Sequence, residues 1–316
     1  MSKYNIDPEL AGIAKIKMPD NPALLPLMNK IIGFSKCRSG DTVAVTRNKT
    51  PGYGGASLDT LVIEPVHHEG ELPCMVLYHG GGFVLKASFA HHSMAKLYAS
   101  SLPCKVIYTD YRLAPEHPFP IPAEDCYCTY EWALEQAGSA PVIIAGDSAG
   151  GALALAVSLM ARDRGLRMPD AELLIYPVTD RRMETDSMKQ YVDTPVFDAK
   201  LSKMMWDAYL GHRQPERIEY ASPLEAASFA QFPPTYIEVA QFDALRDEGV
   251  LLCQKLKDQG IPAEYHEVKG ACHGFETATK SNLLKTCVER RIDWLRSALD
   301  NKVAWHNQTR AHHPSH

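Results

Sequence analysis

The sequence predicts an α/β protein in which helices cover both faces of a mostly parallel sheet. Three observations lead there. Short β-branched or apolar runs alternate with longer helix-like stretches through most of the chain. Two glycine-rich segments stand directly after such runs, where sheets of this kind place their sites. The chain has 316 residues, 45% of them apolar and 22% charged, enough for one large core.

In chain order, the first segment, residues 1–45, lies outside the alternation. Within it Pro22, Leu24, Leu25, Leu27, Met28, Ile31 and Ile32 suggest a short apolar helix after the loop MPDN. Strand-like runs follow at 58–63, 75–78, 105–108, 142–145, 173–176, 235–239 and 264–268. Helix-like stretches lie near 90–101, 122–137, 149–164, 246–259 and 280–299. A second segment, 179–217, also breaks the pattern. In it Leu201, Met204, Met205, Ala208 and Tyr209 recur at helical spacing behind a cap candidate, Asp198. Both segments are suited to cover one end of the sheet. The expected organisation is therefore an N-terminal segment 1–45, a core made of 46–178 and 218–300, an insert 179–217, and a polar tail 301–316, expected to be disordered.

Composition narrows the function. Thirty-three basic against 38 acidic side chains leave a formal net charge of −5, which disfavours a nucleic-acid partner. No run approaches the roughly 20 apolar residues of a membrane span. The N-terminus carries charges and prolines where a signal peptide needs an apolar stretch, so a cytoplasmic location is expected. The 8 cysteines are scattered with no CxxC spacing, which reads as buried free thiols. Neither a metal site nor a cofactor is expected; monomer and homo-oligomer both remain open.

The strongest chemical signal is Gly146-Asp147-Ser148-Ala149-Gly150, between an apolar strand and an apolar helix. A serine on a sharp strand-to-helix turn is driven outward, and small residues two positions to either side avoid collision there. Ser148 is thus the candidate nucleophile. The N–H of Ala149, at the helix start, is a candidate oxyanion donor. A second signal, His79-Gly80-Gly81-Gly82-Phe83, follows the 75–78 strand; glycines let backbone N–H groups approach an oxygen closely, and Gly80 and Gly81 are the expected donors. No Lys-Ser or Lys-Thr pair follows, which excludes a phosphate loop. His79, inside the turn, reads as structural.

A triad adds an acid and then a histidine downstream of the serine. Of 13 histidines, His273 alone follows the last strand in a glycine-flanked loop and is the expected base. Asp243 follows the 235–239 strand; its rivals Asp247 and Glu248 lie in the next helix's first turn, where acids serve the dipole. Cys272 beside His273 has no zinc-type spacing around it. Phe83, Met204, Met205 and Tyr209 are candidate pocket residues, although the aromatic and methionine side chains of the insert suit its own core equally well.

Together HGGGF, YRLAPEHPFP at 111–120, GDSAGG, DALRDEG and HGF resemble, in order and spacing, the hormone-sensitive-lipase-like branch of the α/β hydrolases, the bacterial family IV esterases. The resemblance spans about residues 58–299. It implies an eight-stranded sheet, a helical cap built from residues 1–45 and 179–217, a Ser148, Asp243, His273 triad, and an oxyanion hole from Gly80, Gly81 and Ala149. The implied activity is hydrolysis of short- to medium-chain carboxylic esters through an acyl-enzyme. A peptidase, a long-chain lipase, or a receptor on the same fold are the alternatives; such receptors typically lack the catalytic histidine that stands here. Ala244 replaces the family's common proline, and Leu85 to His92 depart from its usual glycine and His-Asp pair. Arg112 and Glu116 are expected to tie loops together.

Overall fold

The structure, a computed structural model, describes residues 3–211 and 215–300 together with the backbone of 301–311. Helix α1 (Leu25–Ile32) precedes the strands β1 (Val43–Pro51), β2 (Ser57–Pro65) and β3 (Cys74–Tyr78). Then come α2 (Phe89–Ser101), β4 (Lys105–Thr109), α3 (Ile121–Ala137), β5 (Val142–Asp147), α4 (Ala149–Asp163) and β6 (Ala171–Ile175). The insert carries α5 (Asp186–Gln190) and α6 (Ala199–Leu210), and the chain ends with β7 (Thr235–Phe242), α7 (Arg246–Asp258), β8 (Ala263–Cys272) and α8 (Asn282–Ala311).

The eight strands form one sheet in the order β1-β2-β4-β3-β5-β6-β7-β8. Strands β3 to β8 run parallel, and β1 and β2 are antiparallel additions at one edge. All seven strand-like runs read from the sequence lie within or against this sheet. The eighth, β1, was not among them. Its residues, Val-Ala-Val-Thr-Arg-Asn-Lys-Thr-Pro, are mostly exposed or half-buried, as an edge strand's are, and so lack an apolar run. It starts at Val43, just inside the segment 1–45.

Period-two alternation splits the core. Val76, Ile107, Ile144, Leu174 and Ile237 face α3, α4 and α7, whereas Met75, Leu77, Val106, Ile143 and Leu173 face α2 and α8. Both faces are covered, as parallel strands require. Helix α6 begins where the cap candidate stands, with Asp198 Oδ1 accepting the N–H groups of Lys200 and Leu201 at 3.0 Å each. At the other end of the chain α8 outruns the expected tail: its backbone stays helical to Ala311, because neither proline nor glycine interrupts residues 282–311. Residues 312–316, like His212 in the insert, lie outside the described residues.

The two segments that break the alternation meet. Val196 N–H donates to Ile16 O at 3.0 Å, and the rings of Tyr4 and Tyr191 lie 5.7 Å apart, edge to face. Among the described residues no helix is long and apolar enough to cross a membrane.

Candidate active site

Every candidate residue of the triad sits at the carboxyl end of a parallel strand. Ser148 follows β5 directly and caps α4 with φ +53° and ψ −120°. That conformation disfavours any residue with a Cβ, and it is held by Ser148 N–H donating to Ile175 O at 2.9 Å. The small neighbours are obligatory. A Cβ on Gly146 would stand 2.2 Å from Gly150 O, and one on Gly150 would stand 2.0 Å from Tyr78 O.

Asp243 follows β7 and is fully buried; its Oδ1 accepts Leu245 N–H at 3.0 Å. Its Oδ2 lies 2.7 Å from His273 Nδ1, and His273 Nε2 lies 3.1 Å from Ser148 Oγ. A carboxylate only accepts, so Nδ1 carries the proton and Nε2 is left to accept the serine hydroxyl's. The imidazole is gripped between Tyr176 and Phe197, whose ring centroids lie 4.5 and 4.8 Å from its own. Sequence reading missed both aromatic residues. Tyr176 carries a signal in hindsight, an aromatic at the end of a strand beside the nucleophile's; Phe197 carries none.

The rival acids serve other groups. Asp247 accepts Ser187 N–H at 2.8 Å, while Glu248 accepts the N–H groups of Thr179 and Asp180 and is pushed up to about 8 by burial. The Cys272 thiol, also buried, is pushed up to about 12 and is no thiolate near neutrality. All eight cysteines are free, and seven are buried. His79 is fully buried, stacked 4.4 Å from Tyr111, and lowered to about 4 by that burial. Arg112 ties Asp125 to Tyr53 O as expected, whereas Glu116 is exposed and shows no ion pair among the described residues.

The glycine run needs one correction. Gly80 N–H is already committed, donating to Asp147 Oδ1 at 3.1 Å, so it is not a free oxyanion donor. Gly81 and Gly82, at φ +111° and +61°, line the cavity beside Ser148, and their N–H groups find no acceptor among the described residues. Ala149 opens α4, so its N–H has no intrahelical partner.

A cavity of about 290 Å³ opens over Ser148 and His273. Its wall is apolar and comes from both irregular segments: Met18, Leu25 and Met28 from one, Leu201, Met204 and Met205 from the other. Two of the four expected pocket residues therefore line it. The other two do not. Phe83 and Tyr209 stack on each other, centroids 3.7 Å apart and planes within 5°, and form core behind the wall. Among the described residues no group of His, Cys, Asp and Glu could hold a metal ion.

A family model described as the alpha/beta hydrolase fold matches residues 75–277. Esterase LipI of Mycobacterium tuberculosis is 34% identical over 216 residues, covering 66% of this chain and 67% of LipI. The carboxylic ester hydrolase LipN of the same organism is 35% identical over 65% of this chain, and the match spans only 58% of LipN. Among solved structures, a bacterial heroin esterase superimposes with a TM-score of 0.84 at 31% identity, over 93% of this chain and 98% of that one.

Proposed function

The chain belongs to the hormone-sensitive-lipase-like family of the α/β-hydrolase fold, and from that premise we propose that it is a serine carboxylesterase acting on small carboxylic esters. The observation that carries the proposal is the unbroken run Asp243 Oδ2, His273 Nδ1, His273 Nε2, Ser148 Oγ, with steps of 2.7 and 3.1 Å beneath an apolar cavity. The named relatives are esterases, which supports the reading.

In this mechanism Ser148 Oγ attacks the ester carbonyl carbon while His273 Nε2 takes its proton. Asp243 holds the imidazole in the reactive tautomer and stabilises the imidazolium. The carbonyl oxygen, now an anion, receives the N–H groups of Gly81, Gly82 and Ala149. Collapse expels the alcohol, which His273 protonates. Water, deprotonated by the same nitrogen, then releases the acid and restores Ser148.

The described parts of the N-terminal segment and of the insert, which meet at Ile16 and Val196, form a cap in this reading. The cavity of about 290 Å³ lies at the small end of ligand pockets, which favours short to medium acyl chains over long ones. The test is turnover of p-nitrophenyl esters from acetate to palmitate. We expect hydrolysis to peak between about two and eight acyl carbons, and Ser148→Ala to keep the fold while losing roughly three or more orders of magnitude in kcat. Undiminished turnover by that variant rejects the mechanism; a peak at palmitate rejects the chain-length reading.

A further inference from the structure

Asp147, between Gly146 and the nucleophile, takes no part in the triad, yet it fastens both ends of the glycine loop. Its Oδ1 accepts Gly80 N–H at 3.1 Å, and its Oδ2 lies 3.2 Å from His91 Nε2. The other nitrogen of that ring, Nδ1, accepts Ser88 N–H at 2.9 Å and stands 3.1 Å from Ser88 Oγ. A ring nitrogen that accepts a backbone N–H carries no proton, so the proton is on Nε2 and is donated to Asp147. Gly80 and Ser88 are the two ends of the loop that carries Gly81 and Gly82. One end is tied to Asp147 directly, and the other through His91. The approach is tight enough that a Cβ at Gly80 would stand 2.3 Å from Asp147 Oδ2.

A carboxylate here has an electrostatic disadvantage. Asp147 lines the same cavity as Ser148, where the reaction develops negative charge, and like charges repel strongly at short range in a site shielded from water. Its two bonds draw that charge toward Gly80 and His91 and convert the residue into a fixed anchor.

We propose that Asp147 and His91 are positioning residues for the oxyanion loop: together they set where the Gly81 and Gly82 N–H groups stand relative to Ser148, and so act on the transition state more than on substrate binding. The proposal rests on the serine-esterase reading above. Loss of the tie displaces donors without emptying the acyl pocket.

The test uses the full chain with p-nitrophenyl butyrate and a trifluoromethyl ketone, which forms a tetrahedral oxyanion adduct on an active serine. His91→Ala should lower kcat by about 10- to 100-fold, somewhat less than deletion of an oxyanion donor outright, with KM within about twofold. The inhibition constant of the ketone should rise in proportion to the loss in kcat/KM. His91→Gln, which retains an N–H donor toward Asp147, should recover most of the lost kcat. Asp147→Asn has nearly the same shape and so spares packing; it should lower kcat similarly, and the double variant with His91→Ala should be no worse than the poorer single, since both cut one tie. A raised KM with unchanged kcat, an unchanged ketone constant, additive losses, or no recovery by glutamine overturns the proposal. If His91→Ala fails to fold, Asp147→Asn with the ketone decides alone. Undiminished activity in Ser148→Ala defeats the esterase mechanism itself, whereas a severely impaired Ser148→Ala beside a fully active His91→Ala defeats the positioning role alone.

Discussion

Ser148 sits in a backbone conformation that a serine rarely adopts, and the residues around it show why it can. Small neighbours at 146 and 150 admit a turn that any larger side chain would block, so the sharp turn carrying Ser148 was legible from five letters. The order of acid and histidine pointed to Asp243 and His273, and the structure joins Asp243 to His273 at 2.7 Å and His273 to Ser148 at 3.1 Å. Three assignments at this scale did not survive. A glycine run announces that backbone approaches something closely, without saying which N–H is spent on a neighbour; Gly80 spends its own on Asp147. Phe83 and Tyr209 lie in apolar stretches, and apolarity alone does not separate a pocket wall from the layer behind it. The assignment of the acid is open to direct comparison. Asp243→Asn removes the partner that fixes the His273 tautomer and should lower kcat by roughly 10⁴-fold. Asp247→Asn disturbs only the Ser187 and Arg246 contacts and should stay within about threefold, as a substitution away from the reacting atoms does. The reverse ranking in steady-state kinetics would move the acid one turn along.

At the scale of elements, the inner parallel strands announce themselves as apolar runs, and the edge strand β1 does not. Strands β3 to β7 are apolar runs because helices cover both their faces; β1 and β8 lie at the two edges of the sheet with mostly exposed or half-buried residues, and β1 lacks even the short run that marks 264–268. The contact between β6 and α4 makes a prediction of its own. Glu172 is fully buried on β6, where Ser158 Oγ donates to it at 3.2 Å from α4, and burial raises its carboxyl to about 8. A folded-state value above the ordinary one of about 4.5 means that the native protein holds the proton more tightly than the unfolded chain does. The group's contribution to stability is therefore fully present below about 4.5 and is lost as pH rises toward 8. Glu172→Gln keeps the neutral hydrogen-bonding shape at every pH. Thermal melts should show the variant gaining on the parent steadily between pH 5 and 8 and levelling off above; a constant gap would mean that Glu172 does not titrate on unfolding.

Across the whole molecule, one buried cation joins elements that are far apart in sequence. Arg291 on α8 is fully buried and bonds Glu238 on β7, Glu276 beyond His273, and Tyr98 on α2. Glu276 in turn accepts from Tyr176, whose ring grips His273, and it lines the cavity. Nothing in the local sequence marks Arg291, because its partners are more than 10 residues away on every side; it is a feature of the tertiary fold alone. Arg291→Met leaves the buried Glu276 without a cation and Glu238 with only Arg290, 3.9 Å away, and should destabilise by about 3–5 kcal/mol, read from the urea midpoint. Adding Glu238→Gln should recover part of that loss; a wild-type midpoint for the single variant would show that the network contributes nothing.

The central claim is that ester cleavage passes through an acyl group on Ser148. The most direct measurement is rapid acid quench of the enzyme with excess p-nitrophenyl butyrate, followed by mass spectrometry of the peptides. The expected result is a butyryl mass increment on the peptide containing Ser148, absent from Ser148→Ala and strongly diminished in His273→Ala, because the same imidazole activates Ser148. An increment on another residue, or steady turnover with no acylated peptide at any quench time, would contradict the account.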